Sequence, residues 1–466
     1  MYLKSASLSS RFYAACSCIS FALLIHPRCQ SWDKFWLDGA VTRFSFEASA
    51  TRLGRSVTAT ISGDQINVQL PYGVATTTLV ATFETRADAV YVGDTLQTSG
   101  KTVNNFSSPL TYRFMLPGGK SRTYTVTVYP TIPISDTGQS NCYNNSAQQT
   151  CSAVSATFPG QDAQYQNIPA ARGIQAQSAN PLYPNDYFND DTLTGLTWKA
   201  CDEGLTGPTC TGTTSTMFQP AAASVCTALN ALNGGAGYGG RTDWRLPNFR
   251  ELIGFYKYDS ATTSLDAALF PGPAAFTDRW SSSVVLPSGT QGLRVNGQMG
   301  RISSGTNYAV RCVAGGAYPA AEWNDNGDGT VRDNRSGLVY QKCSNGQNND
   351  ATCSGTVAPV TWQNALAYCD GLTLAGRKWR LPNIAELVAL VDLTRTVTPY
   401  IDLVNFPGAP ADGATQYHYW SATTAPNNAN YSNLLNFSIP QIAGMDTKGN
   451  ASVGSNSYLA RCVSGP

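Results

Sequence analysis

The chain has 466 residues, of which 13% are charged and 11% aromatic, and its formal net charge is +1. That length is too great for one ordinary core and leads us to expect roughly three domains of about 100–150 residues; the aromatic content excludes wholesale disorder. The balanced charge, with no long basic run, excludes the counterion-releasing footprint of a nucleic-acid binder, and the abundance of Gly, Pro and small polar residues fits a loop-rich extracellular β protein.

Residues 1–29 read as an export signal. Lys4 and Arg11 precede the short apolar run Cys16 to Ile25, which is too short to span a bilayer. Cys29 follows where a lipoprotein signal would carry its lipid, although His26-Pro27-Arg28 stand where small residues are usual. No later stretch reaches about 18 apolar residues, so no membrane-spanning helix is expected. The expected location is therefore the bacterial outer membrane or cell surface, with a lipid anchor at Cys29. His26 falls within this signal, which leaves His418 to carry any imidazole chemistry. Its setting, Tyr417-His418-Tyr419-Trp420, reads as an ordinary aromatic neighbourhood.

Over residues 41–130 apolar and polar residues alternate, as in Thr42 to Glu47, Val57 to Ile61, Ile66 to Leu70 and Tyr124 to Tyr129. Period-two alternation with β-branched residues marks half-buried strands. Gly63-Asp64, Gly93-Asp94 and Pro117-Gly118-Gly119 punctuate them. About seven short strands imply an all-β immunoglobulin-like sandwich. It contains no cysteine, so its core alone must hold it. The run from Ser108 to Tyr112 and the run from Tyr124 to Val128 resemble bacterial immunoglobulin-like repeats of surface proteins, which implies a spacer. Residues 131–184 read as a linker carrying a short Cys142/Cys151 clip.

The back half repeats itself. Thr194-Gly195-Leu196-Thr197-Trp198 answers Ser336-Gly337-Leu338-Val339-Tyr340. Trp244-Arg245-Leu246-Pro247-Asn248 and Glu251-Leu252 answer Trp379-Arg380-Leu381-Pro382-Asn383 and Glu386-Leu387. Trp280-Ser281-Ser282 answers Trp420-Ser421-Ala422, and Arg311-Cys312-Val313 answers Arg461-Cys462-Val463. The modules therefore span about 185–316 and 322–466.

Each module holds four cysteines: Cys201, Cys210, Cys226 and Cys312, then Cys343, Cys353, Cys369 and Cys462. An even, repeated set in an exported chain reads as a disulfide framework. Four cysteines allow three connectivities. Local closure of Cys201 with Cys210 and of Cys343 with Cys353 is favoured, leaving Cys226–Cys312 and Cys369–Cys462 to tie a helix to the final strand. Helical spacing over Ala221 to Leu232 and Trp362 to Leu372 predicts one helix per module. Asn248 with Glu251, and Asn383 with Glu386, fit capping boxes that start a second. Each module is thus expected to be an α+β unit.

Gly-Leu-x-Trp, Trp-Arg-Leu-Pro-x-x-x-Glu-Leu, Trp-Ser-Ser and Arg-Cys-Val together resemble the Lcl C-terminal domain family, named for a bacterial collagen-like adhesin. The resemblance covers roughly 270 residues. It implies a C-type-lectin-like fold related to formylglycine-generating-enzyme-like domains, and a role in adhesion or glycan binding. The adhesin's collagen-like Gly-x-y tract is absent from this sequence, so its oligomeric state is not carried over.

Candidate site residues follow. Trp244, Trp280, Trp379 and Trp420 could line a sugar platform or fill a core. Arg245/Glu251 and Arg380/Glu386 read as structural pairs. Asp325, Asp328 and Asp333 resemble half a calcium loop, but Arg335 stands where the closing Glu would be; a turn is the simpler reading, and no other cofactor is expected. Asn189-Asp190-Asp191 is a shorter acidic run. The Trp323-Asn324-Asp325 tripeptide of calcium-dependent lectins lies ahead of the second module's landmarks and is read as coincidence. Gly234 to Gly240 reads as a flexible loop. The expectation is an exported protein that binds a glycan or matrix protein without catalysis; the alternatives are a structural envelope protein and, more distantly, a formylglycine-generating-like enzyme.

Overall fold

The structure, a computed structural model, describes residues 40–168, 170–259, 265–272, 277–284, 292–295, 300–303, 306–410, 418–426, 428–437, 443–449 and 458–465. The export signal, His26 and the lipidation candidate Cys29 lie outside the described residues. The fold is mostly β, with several sheets and five disulfides among the described residues.

The first unit comprises β1 (Val41–Phe46), β2 (Val57–Thr58), β3 (Thr60–Ser62), β4 (Gln65–Pro71), β5 (Leu79–Thr85), β6 (Ala89–Val92), β7 (Thr95–Leu96), β8 (Val103–Asn104), β9 (Leu110–Leu116) and β10 (Lys120–Thr131). They form a four-stranded sheet, β2-β1-β5-β8, and a six-stranded sheet, β3-β4-β10-β9-β6-β7. Alternation sends Phe44, Phe46, Ile66, Val68, Phe83, Phe114 and Val126 into one core shared by both sheets. β10 pairs parallel with β4 and antiparallel with β9. The opposite parity turns Thr60, Asn67, Gln69 and Tyr129 outward, with Thr60 opposite Asn67 and Tyr129 opposite Gln69.

In each repeat a helix, a capped helix and short strands build one module. The first has α1 (Gln219–Ala228) and α2 (Phe249–Phe255); the second has α3 (Trp362–Asp370) and α4 (Ile384–Ala389). The module's ends meet: Val313–Ala314 pairs with Thr197–Lys199, and Val463–Ser464 with Val339–Gln341. The disulfides join Cys201 to Cys210, Cys226 to Cys312, Cys343 to Cys353 and Cys369 to Cys462, and Cys142 to Cys151 in the connecting segment. Cys226–Cys312 closes a loop of 86 residues, a constraint worth roughly 4 kcal/mol on the chain-entropy account.

The three units are fused. Phe249, Leu252, Ile253 and Phe255 of α2 share one buried core with Ile384, Leu387 and Val388 of α4, and Tyr72, Ile132 and Ile134 of the sandwich end enter the same core. Gly73 makes that docking close: its N–H donates to the Thr194 carbonyl at 2.9 Å, and a Cβ there would lie 2.6 Å from Leu196 N.

Residues 131–184 are not the free tether that a linker implies. Cys142, Val154, Phe158 and Ala163 pack with Trp362, Trp379 and Trp420. Gln139 donates to the carbonyls of Tyr258 (3.3 Å) and Thr424 (2.9 Å), bridging the two modules. The buried Asp162 accepts from the hydroxyls of Thr137 (2.7 Å) and Thr423 (2.6 Å). Hydrophobic periodicity does not register this packing because its apolar residues are scattered and polar side chains share the contacts.

Burial pushes the Asp162 carboxyl up to about 7, against the two hydroxyl hydrogen bonds that favour its ionised form. A folded pKa above the unfolded value gives stability that is complete below about pH 4 and is lost as pH rises through about 7. Stability measured by urea unfolding is therefore expected to fall across that window, and Asp162→Asn should flatten the fall.

Candidate functional site

Each capped helix begins on a buried ion pair. Arg245 Nη1 and Nη2 donate to the two Glu251 oxygens at 2.8 and 2.7 Å, and Asn248 N–H donates to the same carboxylate at 2.7 Å. Arg380 repeats this with Glu386 at 2.6 and 2.5 Å, and Asn383 N–H adds a bond of 2.9 Å. Asn248 and Asn383 complete the capping boxes from their side chains. Both glutamate side chains are fully enclosed. With every oxygen occupied, these pairs seat helices and offer nothing to a ligand.

The four tryptophans proposed as a sugar platform are core residues, with exposures of 3% or less. Each indole N–H is used internally: Trp244 to Tyr238, Trp280 to Met217, Trp379 to Leu374 and Trp420 to Val360, all to carbonyls within 2.9 Å. No ring face is left for a sugar.

The acidic residues proposed for calcium do not converge. Asp325 pairs with Lys342 Nζ at 2.7 Å, Asp328 accepts from the backbone and hydroxyl of Thr330, and Asp333 accepts from Arg335 N and Ser336 Oγ. The first is an ion pair across strands and the others are turn bonds. Among the described residues no group of three or more His, Cys, Asp or Glu is placed to hold a metal. Asp190 and Asp191 bond Thr197 and Thr194. Gly239 N–H and Asn233 Nδ2 both donate to Asp186, which ties down the glycine-rich loop. His418 stacks against Tyr458 at 5.1 Å.

A buried charge cluster in the first module has no counterpart in the sequence pattern. Arg279 and Arg311 pair with Asp202 at 2.7 and 2.8 Å, all three enclosed. Burial opposes the charge on Asp202, but Arg311 and Arg279 overcome it and hold the carboxyl well below the usual range.

A ligand-sized opening with an aromatic wall lies on the seam between the modules. It has a volume of about 360 Å3 and is lined by Arg250 and Ser283 from the first module, Tyr318 and Trp323 from the crossing segment, residues 315–325, whose end opens the second module, and Val391, Asp392 and Asp402 from that module's body. Ligand pockets commonly enclose about 300–1,000 Å3. Of the seven tryptophans among the described residues, Trp323 alone is not buried. Edge-on contacts with Phe406 (5.1 Å) and Tyr340 (5.9 Å) fix its ring. Arg250 crosses the seam from α2 to the Val391 carbonyl, its guanidinium over the rings of Phe249 and Tyr318. Asp392 accepts from Thr394 N and Oγ1 through Oδ1; its Oδ2 has no hydrogen bond among the described residues. A stacking face beside an open carboxylate oxygen suits a ring that is apolar on its faces and hydroxylated at its edge. The Trp-Asn-Asp tripeptide was the available signal, and its placement ahead of the repeat landmarks is what puts Trp323 on the seam.

Comparison with known proteins agrees with the internal repeat. The family described as Lcl C-terminal domain matches residues 188–314 and again 329–464. The chain belongs to that family. Residues 44–128 match the family described as SGBP, N-terminal, where sequence alternation had pointed to bacterial immunoglobulin-like repeats. Among curated proteins, none matches the chain. One solved structure, described as a candidate glycoside hydrolase from Bacteroides thetaiotaomicron, aligns at 12% identity over 56% of this chain and 80% of that one. Its TM-score of 0.14 carries no argument.

Removing one partner of a buried pair strands the other charge, at a cost of about 3–5 kcal/mol. Glu386→Gln is expected to cost that much in urea unfolding. The paired change Arg380→Met with Glu386→Leu should cost far less, because neither charge is then left uncompensated.

Proposed function

We propose that this is an exported cell-surface protein that binds a glycan, without catalysis, in the seam between its tandem Lcl C-terminal modules. The observation that carries the reading is Trp323, whose ring is open to the seam cleft beside the Asp392 carboxylate. The match of residues 44–128 to an SGBP N-terminal domain, a surface glycan-binding class, supports both the ligand class and the location. Among the described residues no helix is long and apolar enough to cross a membrane, and anchoring through a lipid on Cys29 accords with this. The two-sheet core supports an immunoglobulin-like sandwich. The joined module ends and helix-to-strand disulfides support a C-type-lectin-like fold for each repeat. All ten cysteines of the described residues are held as disulfides, which leaves no thiolate among them for formylglycine-type chemistry.

A glycan screen of the folded, oxidised chain, followed by calorimetric titration of the best oligosaccharide, tests this. Trp323→Ala should weaken binding at least tenfold, about 1.4 kcal/mol, while the circular dichroism spectrum stays unchanged. Undiminished binding in that variant, or no glycan bound by folded protein, would overturn the proposal.

A further inference from the structure

A second, larger opening of about 720 Å3 lies on the other side of the crossing segment, between the sandwich and the second module. Glu322 lines this cleft and its neighbour Trp323 lines the seam, so one stretch of chain divides the two. The floor is the outward face of the six-stranded sheet: Thr60, Asn67 and Gln69, with Tyr129 48% exposed beside them. Such side chains offer donors and acceptors in a row along the strand direction, with one aromatic face.

The charges at its rim are unbalanced. Arg55 is exposed, and its guanidinium has no partner among the described residues. Arg335 lies opposite. Its carboxylate neighbour, Glu322, stands at 3.6 Å, beyond hydrogen-bond reach, and is itself 61% exposed. Nε and Nη1 of Arg335 are enclosed, with Glu322 beside Nε, and make no hydrogen bond among the described residues. The Arg335 backbone is nonetheless fixed, since its carbonyl accepts from Ile132 N–H and its own N–H donates to Asp333. The cleft thus presents two guanidinium groups and one loosely held carboxylate above a hydroxyl- and amide-lined floor.

We propose that this cleft binds an acidic glycan, a chain of uronate sugars. Its carboxylates would pair with Arg55 and Arg335, displacing Glu322, and its hydroxyls would bond Asn67 and Gln69. A guanidinium matches a carboxylate in two parallel hydrogen bonds, and the polar floor serves the hydroxyls that an acidic peptide lacks. β4 and β10, which carry Asn67, Gln69 and Tyr129, are internal strands paired on both sides, so this part of the floor meets a ligand with side chains rather than with free backbone groups. The proposal draws the ligand class from the glycan-binding reading but uses a different site.

The test is calorimetric titration of the full oxidised chain with galacturonate, mannuronate and glucuronate oligosaccharides, their neutral counterparts and polyglutamate. At least one uronate oligomer should bind, more weakly as salt is raised. Arg55→Ala with Arg335→Ala should weaken that binding at least tenfold without altering the circular dichroism spectrum, and Trp323→Ala should leave it unchanged. The proposal is overturned by no uronate binding, by equal binding in the double variant, by loss of binding in Trp323→Ala, or by polyglutamate binding as tightly as the uronate. Failure of the seam site alone would show as neutral-glycan binding that is indifferent to Trp323, with the uronate result intact.

Discussion

The architecture depends on a pair of charges that water never sees. Glu251 and Glu386 are each enclosed at the first turn of a helix, and each is gripped in two parallel hydrogen bonds by the arginine six residues earlier. A buried carboxylate is costly unless its charge and lone pairs are all met. Here the guanidinium and the cap N–H meet them together. Arg245 also reaches the carbonyls of Gly315 and Gly316, and Arg380 exchanges backbone hydrogen bonds with Val463. The start of each capped helix is thereby tied to the end of its own module. Once α2 and α4 are seated, their apolar faces share one core, and the seam follows.

The two copies have kept this device and diverged elsewhere. In the first module the single Asp202 carboxylate is shared by Arg311 and Arg279. In the second the corresponding positions are Ser344, Arg461 and Tyr419. Arg461 donates to the carbonyls of Gln341 and Lys342 and to the Ser344 hydroxyl, and lies over the rings of Phe406 and Tyr419. Arg311 makes the same kind of contacts, with the carbonyls of Lys199 and Ala200 and the rings of Phe255 and Phe270, so what the second copy has lost is the carboxylate together with the second arginine. Phe406, which covers Arg461, also orients Trp323. The divergence of the second copy therefore lies directly behind the proposed binding surface.

Local pattern made much of this legible. Alternation marked the sandwich strands, the Asn-x-x-Glu spacing marked the helix starts, and the five disulfides join the cysteines that repeat spacing pairs. Relations between elements were not legible. Nothing in the sequence of α2 says that its partner is α4. The stretch 131–184 reads as a tether because it is polar, yet Gln139 and Asp162 are buried by hydrogen bonding. Of the two readings open for the tryptophans of the repeat, a sugar platform or a core, the core holds, since a large ring at the centre of a small module excludes most water there. The half-buried ring is Trp323, outside the repeated landmarks, where pattern gave least reason to look. Tyr129 was legible in principle: with Tyr124, Val126 and Val128 alternating inward, the next residue must face outward.

The seam is thus at once the core that unites the modules and the wall of the cleft. Binding there must engage chain from the crossing segment and from the second module together. Amide hydrogen exchange with and without a saturating oligosaccharide is the most direct measurement. The account predicts slowed exchange in peptides covering 318–325 and 389–394 alike, since Trp323 and Asp392 face the same cleft. Slowed exchange confined to one module's outer surface, with both of these segments unaffected, would contradict it.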